Sequence, residues 1–277
     1  MTEFLSVDGG TIAYEVSGVA GPLVVVAHGM GDSREAYRFF TPALVKAGYR
    51  VAAVDLRGHG ESSVGWASYT RTALAGDLIA LVKHLGGPAI LVGHSIAGGA
   101  ATIAAAKAPD LVTALVELTP FTRKQQIRLG DFRVAGYRRG TTHLMGMAIL
   151  GSTRQWAKYL DAAYPGPKPA DWNTRLQQIT ATLEEPGRMK ALQAMGKISP
   201  ADAGEQLGNV TCPVLIVQGT LDPDWASPQA EGEAIVADLP PGLGRLEMIE
   251  GAGHYPHVQF PQQTLTAVLT FLAGVDA

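Results

Sequence analysis

The run Ile90-Leu91-Val92-Gly93-His94-Ser95-Ile96-Ala97-Gly98-Gly99 passes from a buried-strand pattern through small residues into an alanine-rich stretch. A strand–turn–helix setting of this kind strains the backbone at the serine, lifts Oγ beyond the strand's carboxyl end and aims a helix N-terminus at it. Gly93 and Ala97 supply the small neighbours that such a turn needs. A serine hydroxyl is a poor nucleophile at neutral pH and requires an imidazole base oriented by a carboxylate. Both follow later in the chain. Gln218-Gly219-Thr220-Leu221-Asp222 sets a carboxylate just past an apolar run, and Glu250-Gly251-Ala252-Gly253-His254-Tyr255-Pro256 sets a histidine on a glycine turn before a proline-started helix. Ser95 is the nucleophile candidate, His254 the base and Asp222 the orienter.

Other titratable groups fit framework roles better. His28 and His94 read as hydrogen-bonded groups of their turns, His59 as a brace for a glycine turn, and His84 as a partner of helix-terminal carbonyls. His143 could wall a pocket, and His257, three residues past His254, reads as a surface residue of a first helical turn. Asp224 reads as a loop or helix-entry group and Asp77 as a structural acceptor, whereas Glu117 stands in an apolar strand and demands a partner. No histidine pair has the i, i+4 spacing with acidic neighbours of a zinc hydrolase, so no metal is expected. Val24–Ala27 followed by Gly29-Met30-Gly31 imitates a dinucleotide fingerprint, but Arg34 replaces its third glycine; Gly93-x4-Gly98 imitates a phosphate loop, but Gly99 replaces its lysine. No cofactor is expected.

Placing these residues requires a particular scaffold. Apolar runs at Leu23–Ala27, Val51–Val54, Ala89–Val92, Leu111–Leu118 and Val214–Val217, with Leu246–Ile249 a weaker sixth, read as strands buried on both faces. Helix-length segments at Arg34–Ala47, Arg71–Leu85, Ile96–Ala106 and Gln229–Leu239 alternate with them, as in a parallel sheet covered on both sides. Phe4–Val7 and Ile12–Val16, around Asp8-Gly9-Gly10, read as an antiparallel hairpin. Between Leu118 and Cys212 the strand pattern stops, so residues 121–205 read as an inserted helical cap on a core made of 1–120 and 206–277. The insertion carries 13 Lys and Arg against 7 Asp and Glu, in a 277-residue chain whose net charge is −3. Six of its cations, Arg123, Lys124, Arg128, Arg133, Arg138 and Arg139, fall within its first 19 residues. They read as a solvated face, with attraction of an anionic substrate as the competing expectation.

An apolar share of 47% suits a chain that buries a core, and a net charge of −3 provides no cationic field for nucleic acid. Leu85–Ala106 lacks Asp, Glu, Lys and Arg, but Pro88, His94 and Gly98-Gly99 interrupt it, so it reads as strand plus helix and not as a membrane span. The first cation is Arg34, so no secretory leader is expected, and the single cysteine, Cys212, agrees with a reducing cytoplasm. A small-molecule substrate is the expected partner, for a monomer or homodimer.

With these motifs in place the chain resembles the α/β-hydrolase superfamily. Ala27-His28-Gly29-Met30 is similar to its oxyanion loop, Asp55–Ser62 to the loop after its next strand, and Gly93–Gly98 to its nucleophile elbow, in the order Ser…Asp…His. The resemblance implies a mostly parallel eight-stranded sheet with helices on both faces and a helical cap over the pocket. It implies an oxyanion hole from the backbone N–H groups of Met30 and Ile96. Glu117 becomes a rival to Asp222, because haloalkane dehalogenases of this superfamily can carry their acid after that strand. Ser95 argues against dehalogenases and epoxide hydrolases, which attack with aspartate, and Tyr255 departs from the Trp usual after the histidine of carbon–carbon hydrolases. The implied activity is hydrolysis of a carboxylic ester, thioester or lactone through an acyl-enzyme. A carbon–carbon hydrolase, a lyase or a slow-turnover ligand receptor are the alternatives.

Overall fold

A computed structural model of the chain describes residues 1–275. Eight strands form one sheet: β1 (Glu3–Val7), β2 (Gly10–Ser17), β3 (Leu23–Ala27), β4 (Arg50–Val54), β5 (Ala89–His94), β6 (Val112–Leu118), β7 (Val214–Gly219) and β8 (Gly244–Ile249). Their spatial order is β1-β2-β4-β3-β5-β6-β7-β8. β1 pairs antiparallel with β2 and β2 antiparallel with β4, while every pairing from β4 to β8 is parallel. The helices are α1 (Phe40–Lys46), α2 (Arg71–His84), α3 (Ile96–Lys107), α4 (Ala135–Leu150), α5 (Thr153–Ala163), α6 (Trp172–Glu184), α7 (Arg188–Gly196), α8 (Ala201–Gly204), α9 (Pro228–Asp238), α10 (Pro256–Gln259) and α11 (Pro261–Ala273).

The continuous apolar strands are buried on both faces because helices cover both. Alternate residues of β3, Leu23, Val25 and Ala27, pack with Leu74 and Leu78 of α2 and Ala100 and Ala104 of α3. Val24 and Val26 point the other way, onto Phe40 and Leu44 of α1 and Val268 and Phe271 of α11. The expected helix over Arg34–Ala47 is broken: Arg34–Tyr37 forms a 3₁₀ turn and α1 begins at Phe40. The break has a cause, since the Arg34 N–H donates to Asp55 Oδ1 at 2.7 Å and the Tyr37 hydroxyl to the Ala27 carbonyl at 2.9 Å, holding this turn against the sheet's carboxyl edge.

The segment between β6 and β7 contains α4 to α8. Trp156, Tyr159 and Leu160 of α5, Met147 of α4 and Leu192 of α7 share a cluster with Tyr255 and Val258, so this layer packs on the loop that carries His254. Arg175 on α6 pairs with Asp32 at 2.6 Å, and Arg38 holds the two oxygens of Asp171 at 2.5 and 2.8 Å, tying the layer to the loop after β3. Met195 and Ala203 are buried in the cluster beneath the sheet, so the far end of the segment is built into the core. No helix among the described residues is long and apolar enough to cross a membrane.

Candidate active site

Ser95 joins β5 to α3 with φ +56° and ψ −119°, a region that a residue with a Cβ occupies only when its surroundings hold it there. Its N–H donates to the Leu118 carbonyl at 2.9 Å, and its carbonyl accepts from the N–H groups of Gly98 at 3.0 Å and Phe121 at 3.1 Å. A Cβ on Gly93 would lie 2.4 Å from the Ala97 carbonyl oxygen, so the turn closes only with glycine at its start. Ala97 itself packs its methyl into the core, which makes the departure from a second glycine harmless. Ile96 is the first residue of the helix, and an N–H at that position has no intrahelical acceptor. Met30, Ser95 and Ile96 line one cavity of about 420 Å³. The structure therefore brings together the nucleophile candidate and both expected oxyanion donors.

His254 is held through its backbone. Its N–H donates to the Ala163 carbonyl at the end of α5 at 2.9 Å, and its carbonyl accepts from Thr119 Oγ1 and bonds His94 Nε2, each at 2.8 Å. A Cβ on Gly253 would lie 2.2 Å from that same Ala163 oxygen, which explains the glycine before the histidine. The ring Nδ1 lies 3.0 and 3.2 Å from the two oxygens of Asp222, the geometry in which Nδ1–H donates and, in the neutral ring, Nε2 keeps its lone pair. Asp224 Oδ2 stands on the same Nδ1 at 3.3 Å and accepts from the Tyr159 hydroxyl at 2.7 Å. Asp224 also donates its N–H to Asp222 Oδ1 at 3.0 Å.

Burial works against the imidazolium form of His254, but the charges of Asp222 and Asp224 outweigh it and hold the ring up at about 9. Burial, with the Asp222 charge adding to it, raises Asp224 to about 6. Asp222, Asp224 and His254 also offer ligand atoms within 4.8 Å of one another; Nδ1 is shared between the two carboxylates, and Asp224 Oδ1 is buried without a hydrogen-bond partner. Among the described residues the ring of His254 bonds Asp222 and no hydrogen bond joins it to Ser95 Oγ; catalytic contacts of this type are often long when no substrate is bound.

The remaining candidates fall elsewhere. Glu117 takes the Thr102 hydroxyl, on the α3 side of the sheet, and makes no contact with His254 among the described residues. Burial pushes it up to about 8. Asp77 holds Arg57 with two bonds of 2.7 Å. His28 accepts the Leu56 N–H at 3.0 Å, His59 bonds the Arg57 carbonyl at 3.1 Å, His84 the Tyr14 hydroxyl at 3.0 Å and His143 the Gln155 side chain at 2.9 Å. His257 is not on the surface: it is fully buried and stacks on Tyr37 with ring centroids 5.0 Å apart. None of the six cations that begin the insertion lines the cavity. Arg123 binds Asp238 at 2.6 Å, and Arg139 pairs with Asp161. The cavity's cation is Arg71, the first residue of α2, which the sequence reading passed over because nothing local marks it.

The alpha/beta hydrolase family model matches residues 24–267, and the chain belongs to that family. It is 29% identical over 264 residues to a 2-(acetamidomethylene)succinate hydrolase of Mesorhizobium japonicum, covering 91% of this chain and 88% of the relative. It is 27% identical over 268 residues to the karrikin insensitive 2 receptor IA of Petunia hybrida, covering 95% and 94%. A thermophilic esterase of Thermogutta terrifontis shares the fold at a TM-score of 0.76 and 24% identity, with all of both chains covered.

Proposed function

We propose that the protein is a serine hydrolase of small carboxylic esters, thioesters or lactones, with Ser95, His254 and Asp222 as its triad. The observation that carries this reading is the strained Ser95 beside the free N–H of Ile96 in one cavity, with His254 Nδ1 held on Asp222. Ser95 Oγ attacks the carbonyl carbon and His254 Nε2 takes the hydroxyl proton. The oxygen that gains charge is received by the N–H groups of Met30 and Ile96, donors fixed before the reaction begins. His254 returns the proton to the leaving oxygen or sulfur, leaving an acyl-serine, then deprotonates the water that attacks it and passes that proton to Ser95 Oγ as the acid leaves. Residues 121–205 act as a lid: they supply the apolar wall at Leu144, Met147 and Met195, and they pack on the histidine loop. A serine nucleophile sets the chain apart from hydrolases that attack with aspartate.

Fluorophosphonate labelling followed by peptide mapping tests the assignment: the adduct is expected on Ser95 and absent in Ser95→Ala. Likeness to the petunia receptor over 95% of the chain supports a second reading, a ligand receptor that turns over slowly. Turnover decides between them, since an enzyme of ordinary speed releases about 10 products per second.

A further inference from the structure

Arg71 is only 4% exposed, yet none of the ion pairs among the described residues includes it. The other deeply buried arginine, Arg57, is neutralised by Asp77 at 2.7 Å. Asp202, the acid whose charge reaches Arg71, is occupied by the N–H and hydroxyl of Thr72, both at 3.1 Å. Arg71 Nε donates to the Phe121 carbonyl at 2.9 Å and one terminal nitrogen donates to the Ile198 carbonyl at 3.4 Å. A guanidinium has five N–H groups, so most of its donor capacity is unspent, and the side chain lines the same cavity as Ser95. A buried guanidinium with no carboxylate in contact is unfavourable in a protein interior, and an anion entering the cavity relieves it.

The placement is specific. A Cβ on Gly99 would stand 2.8 Å from Arg71 Cδ and 2.6 Å from the Phe121 oxygen, so the second glycine of the Gly98-Gly99 pair is what lets the guanidinium lie across α3. Gly99 is four residues beyond Ser95, one helical turn or about 6 Å along the axis. Met30, Met195 and Ile198 give the same cavity an apolar wall. The other charged lining residue is Asp224, which sits on His254 and repels an anion from that side.

We propose that Arg71 is the carboxylate-binding residue of this cavity, and that the substrate is a half-ester or equivalent acyl derivative of a short dicarboxylic acid, its free carboxylate on Arg71 and its acyl carbonyl at Ser95. This deepens the serine-hydrolase reading and rests on it. Monoethyl succinate, glutarate and adipate, compared with ethyl butanoate, pentanoate and hexanoate, separate charge from chain length. The wild-type protein is expected to prefer at least one half-ester over its neutral counterpart. Arg71→Gln, which keeps a donor for the Phe121 carbonyl, is expected to lower kcat/KM for that half-ester about 10- to 100-fold, mainly through KM, and for the neutral ester by about threefold at most. Arg71→Lys should recover part of the loss. Equal losses on both esters would make Arg71 a structural anchor of the lid, and a wild-type preference for neutral esters would remove the carboxylate; either overturns the proposal. Calorimetry with glutarate on Ser95→Ala reads the site without turnover: heat of binding that disappears in Ser95→Ala/Arg71→Gln supports it, and no binding to Ser95→Ala overturns it. Should no ester be cleaved and no fluorophosphonate adduct form on Ser95, the hydrolase reading fails alone, and glutarate binding still decides Arg71.

Discussion

Replacing Asp224 by Asn tests the electrostatics of the site at one atom. The change removes a charge 3.3 Å from His254 Nδ1 and leaves an amide oxygen to accept the Tyr159 hydroxyl. At that distance a unit charge contributes between ~1 kcal/mol with water-like screening and ~5 kcal/mol at an effective dielectric near 20, which corresponds to ~1 to ~4 pKa units. Asp224 is held at about 6, so above that pH it is ionised and acts on the ring. In the proposed mechanism the working base is neutral His254, so kcat/KM falls as pH drops through the histidine's pKa. With two carboxylates holding the ring up at about 9, the acid limb lies above the range of roughly 6 to 7 expected for a histidine with ordinary surroundings. Asp224→Asn moves it down by at least about one unit, so the variant keeps a larger share of its own plateau activity at neutral pH. The assay is kcat/KM for an activated ester across pH, corrected for spontaneous hydrolysis. A limb that stays within a few tenths of a unit, or moves up, refutes the argument that the Asp224 charge acts on the base.

Ser95→Ala should lower kcat by several orders of magnitude while ester binding persists, because the oxyanion donors and the cavity remain; a steady-state assay with tight-binding controls reads both. Asp222→Asn should also lose orders of magnitude, since the amide favours the wrong imidazole tautomer, whereas Glu117→Gln should change kcat/KM by less than about threefold; the reverse outcome would transfer the orienting role. Glu117 has a stability consequence instead. Its folded pKa is raised from 4.5 to about 8, so between those values the unfolded chain gives up a proton that the native one retains, and stability falls as pH rises. Glu117→Gln removes that slope, and by pH 9 should be more stable than the wild type by up to about 5 kcal/mol, with little difference at pH 4. Denaturant melts at the two pH values measure it, and parallel wild-type and variant curves would contradict it.

What could be read from the chain in advance divides along the range of the interactions. Strands whose neighbours on both faces are apolar announce themselves, and Leu23–Ala27 is found with the bounds its composition suggests. The elbow at Ser95 and the glycine turn before His254 are also legible, because strain and close approach leave small residues behind in the local sequence. Asp222 was within reach for the same reason, standing just past a strand end. The break at Arg34–Phe40 was not, because it depends on Asp55, 21 residues away just past the end of the next strand. His257 resembles any first-turn residue until α10 is laid against Tyr37.

The same distinction governs the charges that matter for chemistry. Six cations clustered within the insertion attract attention in sequence, yet none faces the cavity, because exposed guanidinium and ammonium groups find partners or water at little cost. One arginine with no cationic neighbour in the sequence faces it, because Gly99 and the carbonyls of Phe121 and Ile198 make a place for it from three distant parts of the chain. Asp224 shows the complementary case: two residues from Asp222 it looks redundant, and only the fold puts both carboxylates on one ring nitrogen, where the charges of both hold the ring's pKa up. Local small residues thus mark the tight turns in the sequence, whereas the placement of single charges such as Arg71 and Asp224 emerges only from long-range packing.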